Sequence, residues 1–245
     1  IDAVVNGVAR GCSNLVHLDI SKNKGVGQSV EKFVRSSGSL SHLDISGTSL
    51  QPTLFVDILK SAAQNTYIKE LRLVARENSF GIQGAELIAQ SAAHFAGTAL
   101  HLDVANNDFM DEGTTTFLRG FKALPGLRTL IIDHNFRFKT PRKRQLLIQS
   151  FVQFVESSRA TELSMVGGAD RDASRTVVGW SSKSKELREE IIPIFFALTQ
   201  NRFLTKLNVS RHRFGDRGAM VLARVVHSTK TLYSLNWDEN GVSLS

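Results

Sequence analysis

Cysteine is almost missing from this chain: Cys12 is the single one among 245 residues. One cysteine excludes an internal disulfide and a cysteine-built zinc site, and it favours a reducing compartment. Cys12 is expected to be a small packing residue. Long apolar runs are missing too, since none nears the roughly 18 residues that a helix needs to span a bilayer. There is no secretory signal, and the chain opens on Ile1, so a piece of a longer chain is expected. Catalytic motifs are absent: no phosphate loop, G-x-S-x-G, H-E-x-x-H or dinucleotide fingerprint occurs. The reading is therefore of a binding protein, not an enzyme, with no cofactor.

Ordinary composition fills the remaining space. Hydrophobic residues make up 42% and charged residues 22%, enough apolar material for a sizeable core. The net charge is +7, which suits an acidic partner if the charge clusters.

Internal repetition dominates the sequence. Leu15-Val16-His17-Leu18-Asp19-Ile20-Ser21-Lys22-Asn23 returns as Leu127-Arg128-Thr129-Leu130-Ile131-Ile132-Asp133-His134-Asn135, and both fit L-x-x-L-x-L-x-x-N. Six further copies are anchored by Leu40/Leu43/Ile45, Ile68/Leu71/Leu73, Ala99/Leu102/Val104, Ala160/Leu163/Met165, Leu204/Leu207/Val209 and Leu232/Leu235/Trp237. Their period is near 28 residues, with one long repeat of 44.

The alternating part of each unit reads as a short strand buried on one face, and the asparagine reads as the turn after it. Between strands the spacing turns helical, as in Val30/Phe33/Val34, Leu54/Ile58/Leu59, Leu87/Ile88/Phe95 and Phe117/Leu118/Phe121. Asp216 reads as the cap of the last such helix.

No unit can bury its own face, so stacking is required. The fold expected is an α/β leucine-rich-repeat solenoid of the ribonuclease-inhibitor-like kind, right-handed, with a parallel sheet inside and helices outside. Residues 1–245 are expected to form one such domain of about eight repeats, lacking both caps. Asparagine holds the turn in four copies, Asn23, Asn107, Asn135 and Asn240. Thr48, Gly168 or His212 stands there in others, and Asn78 sits two residues late.

Three features could carry function. The first is the exposed ladder along the inner sheet face, a candidate protein-binding surface. One row reads His17, His42, Glu70, His101, Thr129, Glu162, Lys206 and Ser234. The other reads Asp19, Asp44, Arg72, Asp103, Ile131, Ser164, Asn208 and Asn236. Neighbouring strands lie about 5 Å apart, so His17, Asp19, His42 and Asp44 adjoin. A flat ladder does not converge on a point as a tetrahedral zinc site must, and no metal is assigned.

The second feature is a basic cluster, Arg137, Lys139, Arg142, Lys143 and Arg144, around the helix start at Thr140-Pro141. It is a candidate contact for an anionic membrane or acidic partner. No aromatics interleave it and no nucleic-acid motif is present, so no nucleic acid is expected. The third is the insertion in the long repeat, from Gly167 through Ser184 within the stretch 167–190. There Trp180 is a candidate interface anchor.

The closing repeats carry a family resemblance. Leu204-Thr205-Lys206-Leu207 is followed by Gly215-Asp216-Arg217-Gly218-Ala219 and then by Trp237-Asp238-Glu239-Asn240. With Ser46-Gly47-Thr48 upstream, this resembles the CARMIL family, the capping-protein, Arp2/3 and myosin-I linker scaffolds. His212 departs from the family's usual asparagine.

The resemblance implies a cytosolic actin-assembly regulator acting at the cytoskeleton and the inner face of the plasma membrane. It also implies that capping protein, myosin I and homodimerisation are served by regions outside this chain, and none of the tail motifs is present here. Two other readings share the repeat type. A tropomodulin-like actin-end binder has only about five repeats, and a Ran GTPase-activating-protein-type solenoid looks acidic where this chain is basic.

Overall fold

The computed structural model describes residues 1–12, 14–95, 97–137, 140–168 and 185–243. Eight short strands form one parallel sheet in strictly sequential order. They are β1 (His17–Asp19), β2 (His42–Asp44), β3 (Glu70–Val74), β4 (Ala99–Asp103), β5 (Leu127–Ile131), β6 (Glu162–Ser164), β7 (Lys206–Asn208) and β8 (Ser234–Asn236). A helix lies before each strand: α1 (Asp2–Gly11), α2 (Gln28–Ser36), α3 (Pro52–Gln64), α4 (Gly81–Ser91), α5 (Met110–Phe121), α6 (Pro141–Ser157), α7 (Ile192–Ala197) and α8 (Gly215–Ser228).

The helices pack side by side over one face of the sheet. Packed helices sit 8–10 Å apart and strands nearly 5 Å, so the sheet must take the inner, concave side. The fold is the leucine-rich-repeat solenoid that the periodicity implies.

The core lies between the two layers. Leu43, Leu71, Leu73, Leu100, Leu102, Leu130 and Leu163 point from the strands into it and are fully buried. Phenylalanine fills the wider space under the helices, with Phe55 against Phe80 at 5.0 Å and Phe195 edge-on to Phe214 at 5.4 Å. Pro141 opens α6 as expected, and the Thr140 hydroxyl accepts from the Lys143 N–H. Where connections crowd, only glycine fits: a Cβ on Gly126 would stand 2.1 Å from the Thr98 carbonyl oxygen.

Each strand ends in the same turn. The residue before the asparagine position is left-handed in seven repeats: Lys22, Gly47, Glu77, Asn106, His134, Arg211 and Glu239, with φ between 54° and 63°. Six of these are not glycine, so the turn stores strain that its surroundings must offset.

Several expectations are corrected. In the third repeat His42 faces Arg72 and Asp44 faces Val74, so the strand runs two residues later than its apolar anchors suggest. Period-two alternation cannot detect a slip of two, because the same faces stay in and out. The turn asparagine that looked late, Asn78, is in register with the others. In the fourth repeat the buried anchor is Leu100, followed by a bulge, and not Ala99. Leu87 is exposed, Cys12 is exposed, and Asp216 lies inside the first turn of α8. Its carboxylate accepts from the Ser243 N–H and hydroxyl instead.

Candidate functional site

The outward-facing side chains of the sheet form a continuous polar row on the concave face, half-buried in its middle and buried at Thr129. Corrected for register, its central positions are His17, His42, Arg72, His101, Thr129, Glu162 and Lys206. The His17 and His42 rings stack 3.9 Å apart. Burial, then the neighbouring His17, pulls the His42 imidazole below its ordinary pKa.

From β3 to β7 the side chains are linked. Glu70, two residues before Arg72 on β3, reaches His101 Nε2 at 3.0 Å. His101 Nδ1 meets the Thr129 hydroxyl at 2.9 Å, Thr129 donates to Glu162 at 3.5 Å, and Lys206 Nζ lies 3.8 Å from Glu162. Arg72, Asp103, Ile131 and Tyr233 join them around a shallow cleft of about 330 Å³. Such a row offers both charge signs and hydroxyls along a rigid line, which suits a protein surface.

The second row does different work. Asp19, Asp44, Asp103, Asn208 and Asn236 each accept from the backbone N–H two residues on, in Ser21, Ser46, Ala105, Ser210 and Asp238. These are Asx turns that cap the strand ends. The hydrogen bond from Ser21 also holds the Asp19 carboxyl below its usual range. Asp103 additionally takes the Arg76 guanidinium at 2.5 Å. Those carboxylates, which sequence reading placed in a binding ladder, are therefore engaged by their own turns. Among the described residues no cluster of three or more His, Cys, Asp or Glu is placed to hold a metal ion.

Beneath the turns runs a buried asparagine ladder. Asn78 donates to the Ile45, Ala75 and Arg76 carbonyls, and its own N–H donates to Asn107 Oδ1. Asn107 donates to Ala75, Val104 and Ala105, and its N–H donates to Asn135 Oδ1.

His212 takes the same place in the seventh repeat. Nε2–H donates to the Met165 carbonyl at 2.6 Å, and Nδ1 accepts from the Leu187 N–H at 3.2 Å. Both bonds fit one neutral tautomer. Complete burial depresses its pKa to about 4.

The basic cluster is woven into the solenoid. Arg137 pairs with Asp108 at 3.6 Å, Lys143 with Glu112, and Arg144 with Glu190 at 3.2 Å. Arg142 is exposed. Lys139 and Trp180 lie outside the described residues, as does the insertion from 169 to 184. What sequence reading missed is the role of Asn65 and Asn201, which lock the opposite edge. Asn65 donates to the Val34 and Ser37 carbonyls, and Asn201 to those of Val155 and Ser158. Their matching place just before the strand in two repeats was the available signal.

Comparison with known proteins fits this architecture. Residues 200–223 match the model of the leucine-rich-repeat family. The chain is 30% identical over 98% of its length to Protein CARMIL of Dictyostelium discoideum. It is 24% identical over 99% of its length to human capping protein, Arp2/3 and myosin-I linker protein 3. It is also 24% identical over 95% of its length to the Rho GTPase-activating protein gacW of Dictyostelium discoideum. The chain spans 22%, 17% and 22% of these proteins, respectively. With its eight stacked repeats, the chain is a leucine-rich-repeat solenoid that is similar over nearly its whole length to a segment of CARMIL proteins.

Proposed function

We propose that this segment is the protein-interaction module of an actin-cytoskeleton regulator, and that it recognises its partner with the concave row from Glu70 through His101, Thr129 and Glu162 to Lys206. The observation that carries the reading is that linked row, with acids, a histidine, a hydroxyl and a lysine held in line along a rigid sheet. Its support in kinship is the match to proteins whose names include capping protein, Arp2/3 and myosin I. The module acts as a scaffold rather than a catalyst, in the cytoplasm and at the cytoskeleton near the plasma membrane. Capping protein, myosin I and a homodimer partner engage segments outside these residues.

The test is a triple charge reversal, Glu70→Lys, Glu162→Lys and Lys206→Glu, placed in a full-length protein that carries this module. Recruitment to actin-rich edges should fall about tenfold or more, as for loss of a central interface cluster. Binding to capping protein and myosin I should stay as it was. Unchanged recruitment would remove the concave face from the function.

A second reading rests on the match to gacW, a Rho GTPase-activating protein. In it the module would steer a GTPase-activating partner. Faster GTP hydrolysis by a Rho-type GTPase and a GTPase-activating domain together, on joining this segment to that domain, would favour it.

A further inference from the structure

The net charge of +7 is not spread evenly. The loops leading into the strands span 12–16, 37–41, 65–69, 92–98, 122–126, 158–161, 198–205 and 229–233. Together they contain Lys69, Lys122, Arg159, Arg202 and Lys230 and not one aspartate or glutamate. Because the strands are parallel and consecutive, all these loops emerge at one edge of the sheet.

Backbone bonds tie loop to loop there. The Thr161 N–H donates to Arg128, Thr205 to Thr161 and Tyr233 to Thr205, at 2.8, 2.8 and 3.0 Å. Lys69, Arg159, Arg202 and Lys230 are exposed, and Lys122 is half-buried. None of these five enters an ion pair among the described residues. The nearest strand acids, Glu70 and Glu162, are turned onto the sheet face toward His101 and Lys206. Glu156, exposed near the end of α6, lies three residues before Arg159, as Glu162 lies three after it.

The same edge carries the chain's only two tyrosines. Tyr67 and Tyr233 are 73% and 74% exposed, and Phe203 and Val16 are 46% and 53% exposed. The tips that bear them are held rigidly. Asn65 Oδ1 accepts from the Tyr67 N–H at 2.9 Å, and Asn201 Oδ1 from the Phe203 N–H at 2.8 Å. The Arg159 guanidinium stands 5.8 Å from the centre of the Phe203 ring.

Cations without acids, beside exposed aromatic rings at loop tips, are the chemistry of a lipid headgroup layer. The ring sits at the interface while the cation reaches a phosphate. The edge of a solenoid is also a row of loops in one plane, so many of them can meet a flat surface together. Single-stranded nucleic acid fits less well. Tyr67 and Tyr233 stand five strands apart, at least about 24 Å at strand spacing, too far to stack successive bases.

We infer that this loop-bearing edge of the solenoid, with Lys69, Arg159, Arg202 and Lys230 around Tyr67, Phe203 and Tyr233, is a docking surface for anionic phospholipid bilayers. It adjoins the concave row, and Tyr233 lines both, but its four cations lie outside the concave cleft, so charge reversal at the edge and charge reversal in the row test the two assignments separately.

The test is sedimentation with vesicles of phosphatidylcholine, alone or with about 30% phosphatidylserine, at about 0.1 M salt, where charges are screened beyond about 10 Å. The chain should bind the phosphatidylserine vesicles and not the neutral ones. Each cation near such a surface is worth about fivefold in partitioning. The variant K69E/R159E/R202E/K230E should therefore lose on the order of 100-fold or more. The variant R142E/K143E, on the opposite edge, should bind within about twofold of the parent, since each lies outside the surface. Circular dichroism verifies the fold of each variant, and Y67S/Y233S, which keeps every charge, should weaken binding by about threefold to tenfold.

The inference is overturned if the parent ignores phosphatidylserine vesicles, or if R142E/K143E loses as much as the four-site variant. It is also overturned if Y67S/Y233S binds as the parent does. Edge-dependent binding to polyglutamate or single-stranded RNA without vesicle binding would assign the edge to an acidic macromolecule instead.

Discussion

The two edges of the solenoid use charge in opposite ways. At the edge where strands turn into helices, cations and acids alternate from repeat to repeat and close on each other. Arg76 meets Asp103, Arg137 meets Asp108, Lys143 meets Glu112, Arg144 meets Glu190, and Arg213 meets Glu186. Asparagines and left-handed residues lie beneath them. At the edge where helices return to strands the loops hold cations alone, with asparagines fixing the backbone and aromatic rings left in water. One edge spends its polar groups on stacking the repeats. The other stacks through backbone bonds, asparagines and threonine hydroxyls, and keeps its cations and rings for the outside. A cluster of basic residues in a sequence therefore says little until its acids are located: in the densest run, Arg137, Lys143 and Arg144 are each compensated.

That contrast predicts where substitutions will be felt. The largest effect should come from the ladder under the paired edge. Asn107→Ala removes three donated bonds and the acceptor of the Asn78 N–H, all buried. It should lower unfolding stability by roughly 3 kcal/mol in urea titration. A loss under about 0.5 kcal/mol would mean that the strained turns hold without it.

His212 should give an effect of similar size that depends on pH. Its folded pKa is about 4, below the unfolded value of 6.5, so the unfolded chain binds the extra proton between those values. The neutral rung thus contributes fully above pH 6.5, and its contribution is lost as pH falls toward 4, by up to about 3 kcal/mol. Denaturation midpoints of the parent should fall across this window more steeply than those of His212→Gln. Parallel pH profiles would show that the imidazole titrates as in water.

The smallest effect should come from the ion pairs themselves. Exposed pairs are worth about 0–1 kcal/mol, so a double-mutant cycle on Arg144 and Glu190 should give under about 1 kcal/mol and shrink with added salt.

Much of this was legible in the sequence. The Leu-x-Leu alternation and the recurring asparagine mark the strands and turns because burial and turn geometry both impose them. The helical faces follow from Val30, Phe33 and Val34 in the same way. The register of β3 was not legible from apolar spacing, since Leu71 and Leu73 satisfy either frame. Asn78 was the better guide, because a turn allows one placement and an alternating strand allows several.

The concave row was found, but half of it had another task. Asp19 and Asp44 look like surface carboxylates until their bonds to Ser21 and Ser46 are seen. The edge of Lys69, Arg159, Arg202 and Lys230 was hidden for a different reason. Its successive members lie 28 to 90 residues apart in sequence, and only stacking brings them into one line.

His212 has a mechanical consequence. An asparagine ladder is a chain of short links, and a long insertion between two links is where such a chain would part under tension. The imidazole bridges that place with two nitrogens, one on the backbone just past β6 and one on the backbone that returns from the insertion. A pull applied along the array would cross the insertion through that ring as well as through the β6–β7 backbone bonds, so the extra loop can change in length or sequence while the load path stays closed. In acid the ring takes a second proton and loses its grip on Leu187, and the solenoid should then yield first between its sixth and seventh repeats.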